Sequence, residues 1–218
     1  MDWDAAYRNE IFMGPPPWNI GAPQPEILAL IEAGEVTGPV LDAGCGVGDV
    51  ALALAERGYD VTGIDLSTVA VDEASRAAAE RGLPARFLQG DLRDIGALGL
   101  TEKFNTVIDC TLFHSLPVDA RDDYLRGILD AAADGAVLHL LVFTKDALPA
   151  DSPCPIPNQV TEAEVRDAVS AHWTQVSTRP SFVAVKLPDI PGLPPHNFPI
   201  DDAGRVQLPA LLLTARKN

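Results

Sequence analysis

Val40-Leu41-Asp42-Ala43-Gly44-Cys45-Gly46-Val47-Gly48-Asp49 opens the stretch that decides the fold, and Asp60-Val61-Thr62-Gly63-Ile64-Asp65-Leu66-Ser67 closes it. The reading is strand, glycine turn, helix, strand. A short apolar strand, Pro39 to Leu41, runs into a tight loop built on Gly44, Gly46 and Gly48. Val50 to Arg57 are strong helix formers, and Gly58 stands where a helix-ending glycine belongs. The second strand, Asp60 to Ile64, delivers Asp65, about 20 residues beyond the glycine turn. A βαβ unit places a carboxylate beside a ribose at that spacing. The third glycine of a dinucleotide fingerprint would fall at position 49, which is Asp49. A carboxylate there complements the helix dipole but repels a pyrophosphate, so the loop suits a nucleoside ligand without phosphates. Asp42, at the end of the first strand, can accept bonds from an ammonium group or from loop amides.

Working outward, Ser67 caps a helix over Thr68 to Arg81 that Gly82-Leu83-Pro84 ends. A third strand, Ala85 to Gln89, delivers Gly90-Asp91-Leu92, and a fourth, Asn105 to Asp109, delivers Cys110-Thr111-Leu112-Phe113-His114. His114 is the histidine near the carboxyl end of a parallel strand, where ligands bind in open α/β sheets; it is the candidate general base. A polar-faced helix from Asp119 to Ala133 precedes a turn at Asp134-Gly135 and a fifth strand, Ala136 to Phe143. His139, in mid-strand, reads as a satisfied core histidine. Thr161 and Glu164 form a capping box, and His172-Trp173 lies past that helix on an expected solvent-facing corner. A sixth strand runs from Gln175 towards Leu187, with Pro180 limiting its pairing. The last strand, Val206 to Ala215, is expected to be antiparallel, with Pro209 at a bulge or an unpaired position. Two proline-rich stretches, 144–160 and 188–205, read as lid loops over the site, with Ile190, Leu193, His196 and Phe198 in the second. Upstream, Trp3, Tyr7, Ile11 and Phe12 recur at helical spacing, predicting a short amphipathic helix over 2–12. Met13 to Gly21 is rigid and proline-rich and carries Trp18; residues 1–24 read as a cap on a single domain.

Val40 to Gly48, with Asp65-Leu66-Ser67 as a second acidic motif, resembles the class I S-adenosylmethionine-dependent methyltransferases. Pro17-Trp18-Asn19-Ile20-Gly21 and Ile108 to His114 further resemble the thiopurine-methyltransferase-like and bacterial heterocycle (quinolone) methyltransferases, which often carry Asp where Asn19 stands. The resemblance implies a doubly wound, seven-stranded, mostly parallel sheet with an antiparallel last strand and an N-terminal cap. It also implies S-adenosylmethionine as methyl donor, no metal, and a small aromatic or heterocyclic acceptor methylated on oxygen or nitrogen. The expected donor site is Asp42, Gly44, Gly46 and Gly48 at the methionine moiety, Asp65 at the ribose, and Leu66, Asp91 and Leu92 at the adenine, closed by Trp18. The expected acceptor pocket is Phe12, Trp18, Phe113, His114 and Phe198. A thiol or thiopurine S-methyltransferase and a non-catalytic donor-binding protein are the competing readings.

Composition bounds these expectations. The 218 residues suit one α/β domain; 47% are hydrophobic and 22% charged, as in globular chains. The formal net charge is −15, without clustered Lys and Arg, which disfavours nucleic acid and anionic membranes as partners. Cys45, Cys110 and Cys154 lack metal-ligand spacing, and an odd, sparse count fits a reducing cytosol. The N-terminus has no signal-peptide pattern and no run is long enough to span a bilayer. The expectation is a cytoplasmic enzyme, monomer or homodimer.

Overall fold

The computed structural model describes residues 1–12, 14–148, 158–187 and 197–218. Its centre is one seven-stranded sheet ordered β3-β2-β1-β4-β5-β7-β6. The strands are β1 (Val40–Ala43), β2 (Val61–Asp65), β3 (Arg86–Gln89), β4 (Phe104–Cys110), β5 (Ala132–Phe143), β6 (Thr174–Val185) and β7 (Val206–Arg216). The first five pair in parallel, and β7 inserts antiparallel between β5 and β6. The helices are α1 (Trp3–Tyr7), α2 (Pro25–Glu32), α3 (Asp49–Glu56), α4 (Thr68–Arg81), α5 (Arg121–Ala131) and α6 (Glu162–Ser170). None of the described helices is long and apolar enough to cross a membrane.

The central strands are apolar on both faces because helices cover both. Leu41, Val107, Leu138 and Leu140 belong to one core with α5 and α6, while Val40, Ile108 and Leu141 belong to another with α2 and α3. Six consecutive residues of α3, Val50 to Ala55, are buried, so this small-residue helix sits close against the sheet. Ser67 accepts from the Ala70 amide at 3.2 Å to start α4, and Thr161 and Glu164 form the reciprocal box that starts α6. Chain order reverses at the β1–β4 pair, where Ala43 lies opposite Asp109; this switch point opens a crevice at the carboxyl edge.

Several sequence expectations change. The first helix covers five residues rather than 2–12, because Asn9 takes a left-handed φ of 64° and turns the chain. Asp134-Gly135 is not a turn between elements: β5 starts at Ala132, and the pair lies where the register with β4 shifts between Phe104 and Thr106. Trp173 is not at a solvent-facing corner. Its amide bonds Val169 O at 2.8 Å as α6 ends, and its indole is 2% exposed beside Val165 and Val169. Pro209 keeps the β6 register opposite Phe182. Its carbonyl accepts from Thr144 N, so its nitrogen faces the end of β5, where the pairing closes. Pro180 lies on β6, the edge strand. His139 is a satisfied core histidine, bonded to Thr214 Oγ1 and Glu35 O. The expected lids at 144–160 and 188–205 fall partly on 149–157 and 188–196, outside the described residues, as do His196, Ile190 and Leu193.

Candidate active site

A cavity of about 350 Å³ lies at the carboxyl edge, between the ends of β1, β2, β3 and β4 and the N-terminal cap. Its floor is the glycine turn. Gly44 N and Cys45 N both donate to Ile64 O, and Gly46 N donates to Asp65 Oδ2 at 2.9 Å. Gly44, at φ +71°, has Leu112 against it: a Cβ there would fall 2.8 Å from the leucine side chain. Gly46, at φ +53°, has the Tyr7 hydroxyl 2.5 Å from the place its Cβ would take. Side chains at these two positions would fill the turn from both sides.

Two carboxylates flank this floor. Asp65, at the end of β2, accepts from Gly46 N with one oxygen and from Ser67 N with the other, both at 2.9 Å. Its acidity is weakened by burial, against which these amides act. Asp42 on β1 accepts from Ala51 N at 3.1 Å. Burial pushes its carboxyl up to about 7, and the nearby Asp65, Asp49 and Asp109 add to the rise. Asp49 also lines the cavity, so this end is strongly acidic. Leu66, 55% exposed, presents an apolar side chain to the cavity.

Asp91 and Leu92 line the opposite end. The Asp91 carboxylate is held by the Arg93 guanidinium, with contacts of 2.6 and 3.0 Å, which keeps it below the usual carboxylate range. Its expected place at an adenine edge is therefore shared with an arginine that the sequence reading passed over.

After β4 the chain is pinned tightly. Asp109, fully buried and pushed up to about 6 by burial, accepts from the Leu112 and Phe113 amides and from Tyr124 Oη at 2.6 Å. Thr111 takes φ +75°, a conformation rare for a β-branched residue. Thr111, Leu112, Ser115 and Leu116 line the cavity; Phe113 and His114 do not. His114 is 2% exposed and meets Phe143 edge-on at 5.0 Å, and burial, helped by the Arg121 charge, drives its pKa down to about 3. The expected base is thus an inward-facing neutral ring with Nδ1 unpartnered. Phe113 is 1% exposed beneath Arg121, whose guanidinium carbon lies 4.8 Å above the ring. The short turn Phe113–Ser115 rotates both rings into the core.

The cap supplies the outer wall. Trp18 lines the cavity between Phe12, at 5.2 Å and 82°, and Trp3, at 6.4 Å and 72°. Phe12 is thus a buttress behind Trp18 rather than a lining residue, and Phe198 packs on the α2–α3 core outside the lining. Gly48 caps α3 from outside the lining, where the sequence placed it at the ligand. Gln24, 4% exposed, bonds Trp18 O, Ala184 O and Ala184 N, and so ties the cap to β6. Asp4 accepts from Ser67 Oγ at 2.6 Å and from Val69 N, which seats α1 on the start of α4. Trp3, Tyr7, Asn19, Thr111 and Tyr124 are lining residues that sequence reading did not assign to the site. Only the helical spacing of Trp3 and Tyr7 hinted at a shared face.

No group of three or more His, Cys, Asp or Glu among the described residues could hold a metal ion. A doubly wound sheet with a glycine turn at its switch point, an acid closing β2 and a capped crevice defines a Rossmann-like α/β protein with a ligand crevice at its carboxyl edge. Known proteins narrow the class. Residues 40–135 match the family model of a methyltransferase domain. The 2-heptyl-1-hydroxyquinolin-4(1H)-one methyltransferase of Mycobacteroides abscessus is 48% identical over 176 residues, 79% of this chain and 76% of that protein. A solved structure described as "Conversion of a Disulfide Bond into a Thioacetal Group during Echinomycin Biosynthesis" is 35% identical, with a TM-score of 0.84 over 99% of this chain and 91% of that one. The 1,6-didemethyltoxoflavin-N1-methyltransferase of Burkholderia thailandensis, solved with S-adenosylhomocysteine bound, is 26% identical, with a TM-score of 0.64 over 89% of this chain and 77% of that one. The chain belongs to the S-adenosylmethionine-dependent methyltransferases.

Proposed function

We propose that this protein methylates an oxygen or nitrogen atom of a small, planar heterocycle, with Asp42, Gly44, Gly46, Asp65, Leu66, Asp91 and Leu92 holding the donor. The observation that carries the reading is one cavity whose lining is both acidic and aromatic. Its lining joins the glycine turn, two buried carboxylates and the exposed Leu66 to the apolar side chains of Trp3, Trp18, Leu112 and Leu116. At about 350 Å³ it is in the size range of small-molecule sites. The donor fits the acidic part of this lining. Tyr7 and Leu112 pack on the turn and leave no room for side chains at Gly44 and Gly46, and the acids favour a ligand's cationic groups. The activities of the Mycobacteroides and Burkholderia relatives, both on nitrogen heterocycles by name, support the acceptor class.

When bound, S-adenosylmethionine supplies a methyl group already activated by its sulfonium. The chain's own task is alignment and dryness. Asp65, held by two amides, would offer a fixed acceptor to a sugar hydroxyl of the donor, and Asp42 would pair with its ammonium group. Trp18 and Trp3 offer flat apolar walls that hold a ring in line and exclude water, and holding reactants in attack geometry removes several kcal/mol of barrier. His114 has no part in this account.

A sulfur acceptor is the second reading, favoured by the likeness to the echinomycin protein. Calorimetry with S-adenosylhomocysteine tests the donor assignment. Labelled donor with 2-heptyl-1-hydroxyquinolin-4(1H)-one, phenols, thiols and thiopurines tests the acceptor. Transfer to the quinolone and not to thiols is expected; transfer to thiols alone would replace the first reading with the second, and no heat with S-adenosylhomocysteine would end both.

A further inference from the structure

We propose that Thr111 is a positioning residue for the methyl acceptor, its hydroxyl donating a hydrogen bond to the nucleophilic heteroatom. The proposal rests on the methyl-transfer reading above and adds a residue to it.

Two independent observations support it. The first is backbone strain. Thr111 sits at φ +75°, where a Cβ is disfavoured and a branched one more so. Strain of this kind persists where the surroundings impose it, and these do. Thr111 N donates to Leu141 O on β5 at 2.9 Å, Thr111 O accepts from Ser115 Oγ at 3.0 Å, and Asp109 clamps the two following amides. Leu112 is wedged against Gly44, so the loop has no room to relax towards the glycine turn. A glycine or asparagine would hold this turn with less strain, so folding alone does not call for threonine here.

The second observation is the side chain. Thr111 lines the cavity and is half-buried, and its hydroxyl makes no hydrogen bond within the described residues. By contrast Ser115, on the same loop, spends its hydroxyl on the Thr111 carbonyl. Thr111 also stands at the right place. It follows the last residue of β4, beside the end of β1 from which the donor turn leaves, and the cavity it lines is closed on the cap side by Trp18. A donor hydroxyl there occupies one lone pair of an attacking oxygen and leaves another for the methyl carbon, so the proposal is made for an oxygen nucleophile such as the N-hydroxyl of a hydroxyquinolinone.

The experiment compares Thr111→Gly, Thr111→Ala and Thr111→Ser with the wild type, using S-adenosylmethionine and 2-heptyl-1-hydroxyquinolin-4(1H)-one. Relief of strain should leave Thr111→Gly melting at or above the wild-type temperature. Affinity for S-adenosylhomocysteine should stay within about twofold in all three, since the hydroxyl faces the acceptor. The kcat/KM for the quinolone should fall roughly 10–100-fold in Thr111→Gly and Thr111→Ala, the loss expected for a hydrogen bond to a charged or developing anion, and recover in Thr111→Ser. Wild-type kcat/KM in both hydroxyl-free variants would overturn the proposal, as would a serine variant as impaired as the alanine one. A wild-type protein that methylates no acceptor would instead overturn the reading on which it rests.

Discussion

Replacing Asp42 with Asn should make the empty protein more stable while weakening its grip on the donor. The carboxyl is 1% exposed, and burial, reinforced by Asp65, Asp49 and Asp109, lifts it from 3.8 to about 7. A carboxyl raised in the folded state holds its proton there at pH values where the unfolded chain has already released it. The contribution of this carboxyl to stability is therefore full below 3.8, falls as pH rises towards 7, and levels off above. At about 1.36 kcal/mol per pH unit, that interval sets an upper limit of about 4 kcal/mol, reduced by whatever water the open cavity admits. Asn keeps the acceptor for Ala51 N and carries no charge, so the loss disappears. Recovering half or more of it should raise the melting temperature at pH 8 by roughly 5–10 °C in a chain of this size. Near pH 4 the two proteins should melt alike. The assay is a series of thermal melts from pH 4 to 8.5, paired with calorimetry against S-adenosylhomocysteine, whose affinity should drop roughly 10–100-fold with the ammonium's partner gone. An Asn variant that melts below wild type at pH 8, or one whose advantage over wild type does not grow from pH 4 to 8, would refute the electrostatic account of this carboxyl.

Asp65→Ala removes the carboxylate proposed to accept from the donor's sugar hydroxyls, so donor affinity should fall by about 1.5–3 kcal/mol per hydroxyl bond lost, read by calorimetry; the Gly46 and Ser67 amides it holds lose their acceptor as well. Gln24→Ala leaves two buried bonds to Ala184 and one to Trp18 O unmade; a loss of about 2–4 kcal/mol in urea denaturation is expected, and a loss below about 0.5 kcal/mol would show that water replaces the amide. His114→Leu should leave the pH profile of methyl transfer unchanged, because this ring stays neutral down to about pH 3 and lies outside the cavity; disappearance of an ascending limb near neutrality would restore it as a base.

The sheet was legible because its signals are local and mutually consistent. Gly44, Gly46, Ser67, Gly82 and the Thr161–Glu164 box each dictate a backbone geometry within a few residues, and apolar strands between helices leave few topologies. That Asp42, Asp65 and Leu66 line the cavity was legible for the same reason, since they sit at or beside strand ends. The lining supplied by the cap and by the chain after β4 was not. Whether His114 faces ligand or core depends on one short turn and on the room beside Phe143, which no sequence spacing encodes. Thr111 carries no mark of its left-handed backbone, and the role of Phe12 depends on where a proline-rich segment sets Trp18 down. Trp173 was misplaced because the chain turns inward after α6, where helical periodicity has stopped.

Two of the three tryptophans, Trp3 and Trp18, stand edge-to-face at the mouth, and the third, Trp173, lies in the core beside α6. Emission from the intact protein therefore mixes a buried signal with one from the entrance. Substituting Trp173 with Phe would leave an intrinsic optical reporter confined to the entrance, able to follow ligand arrival in a stopped-flow instrument without a label.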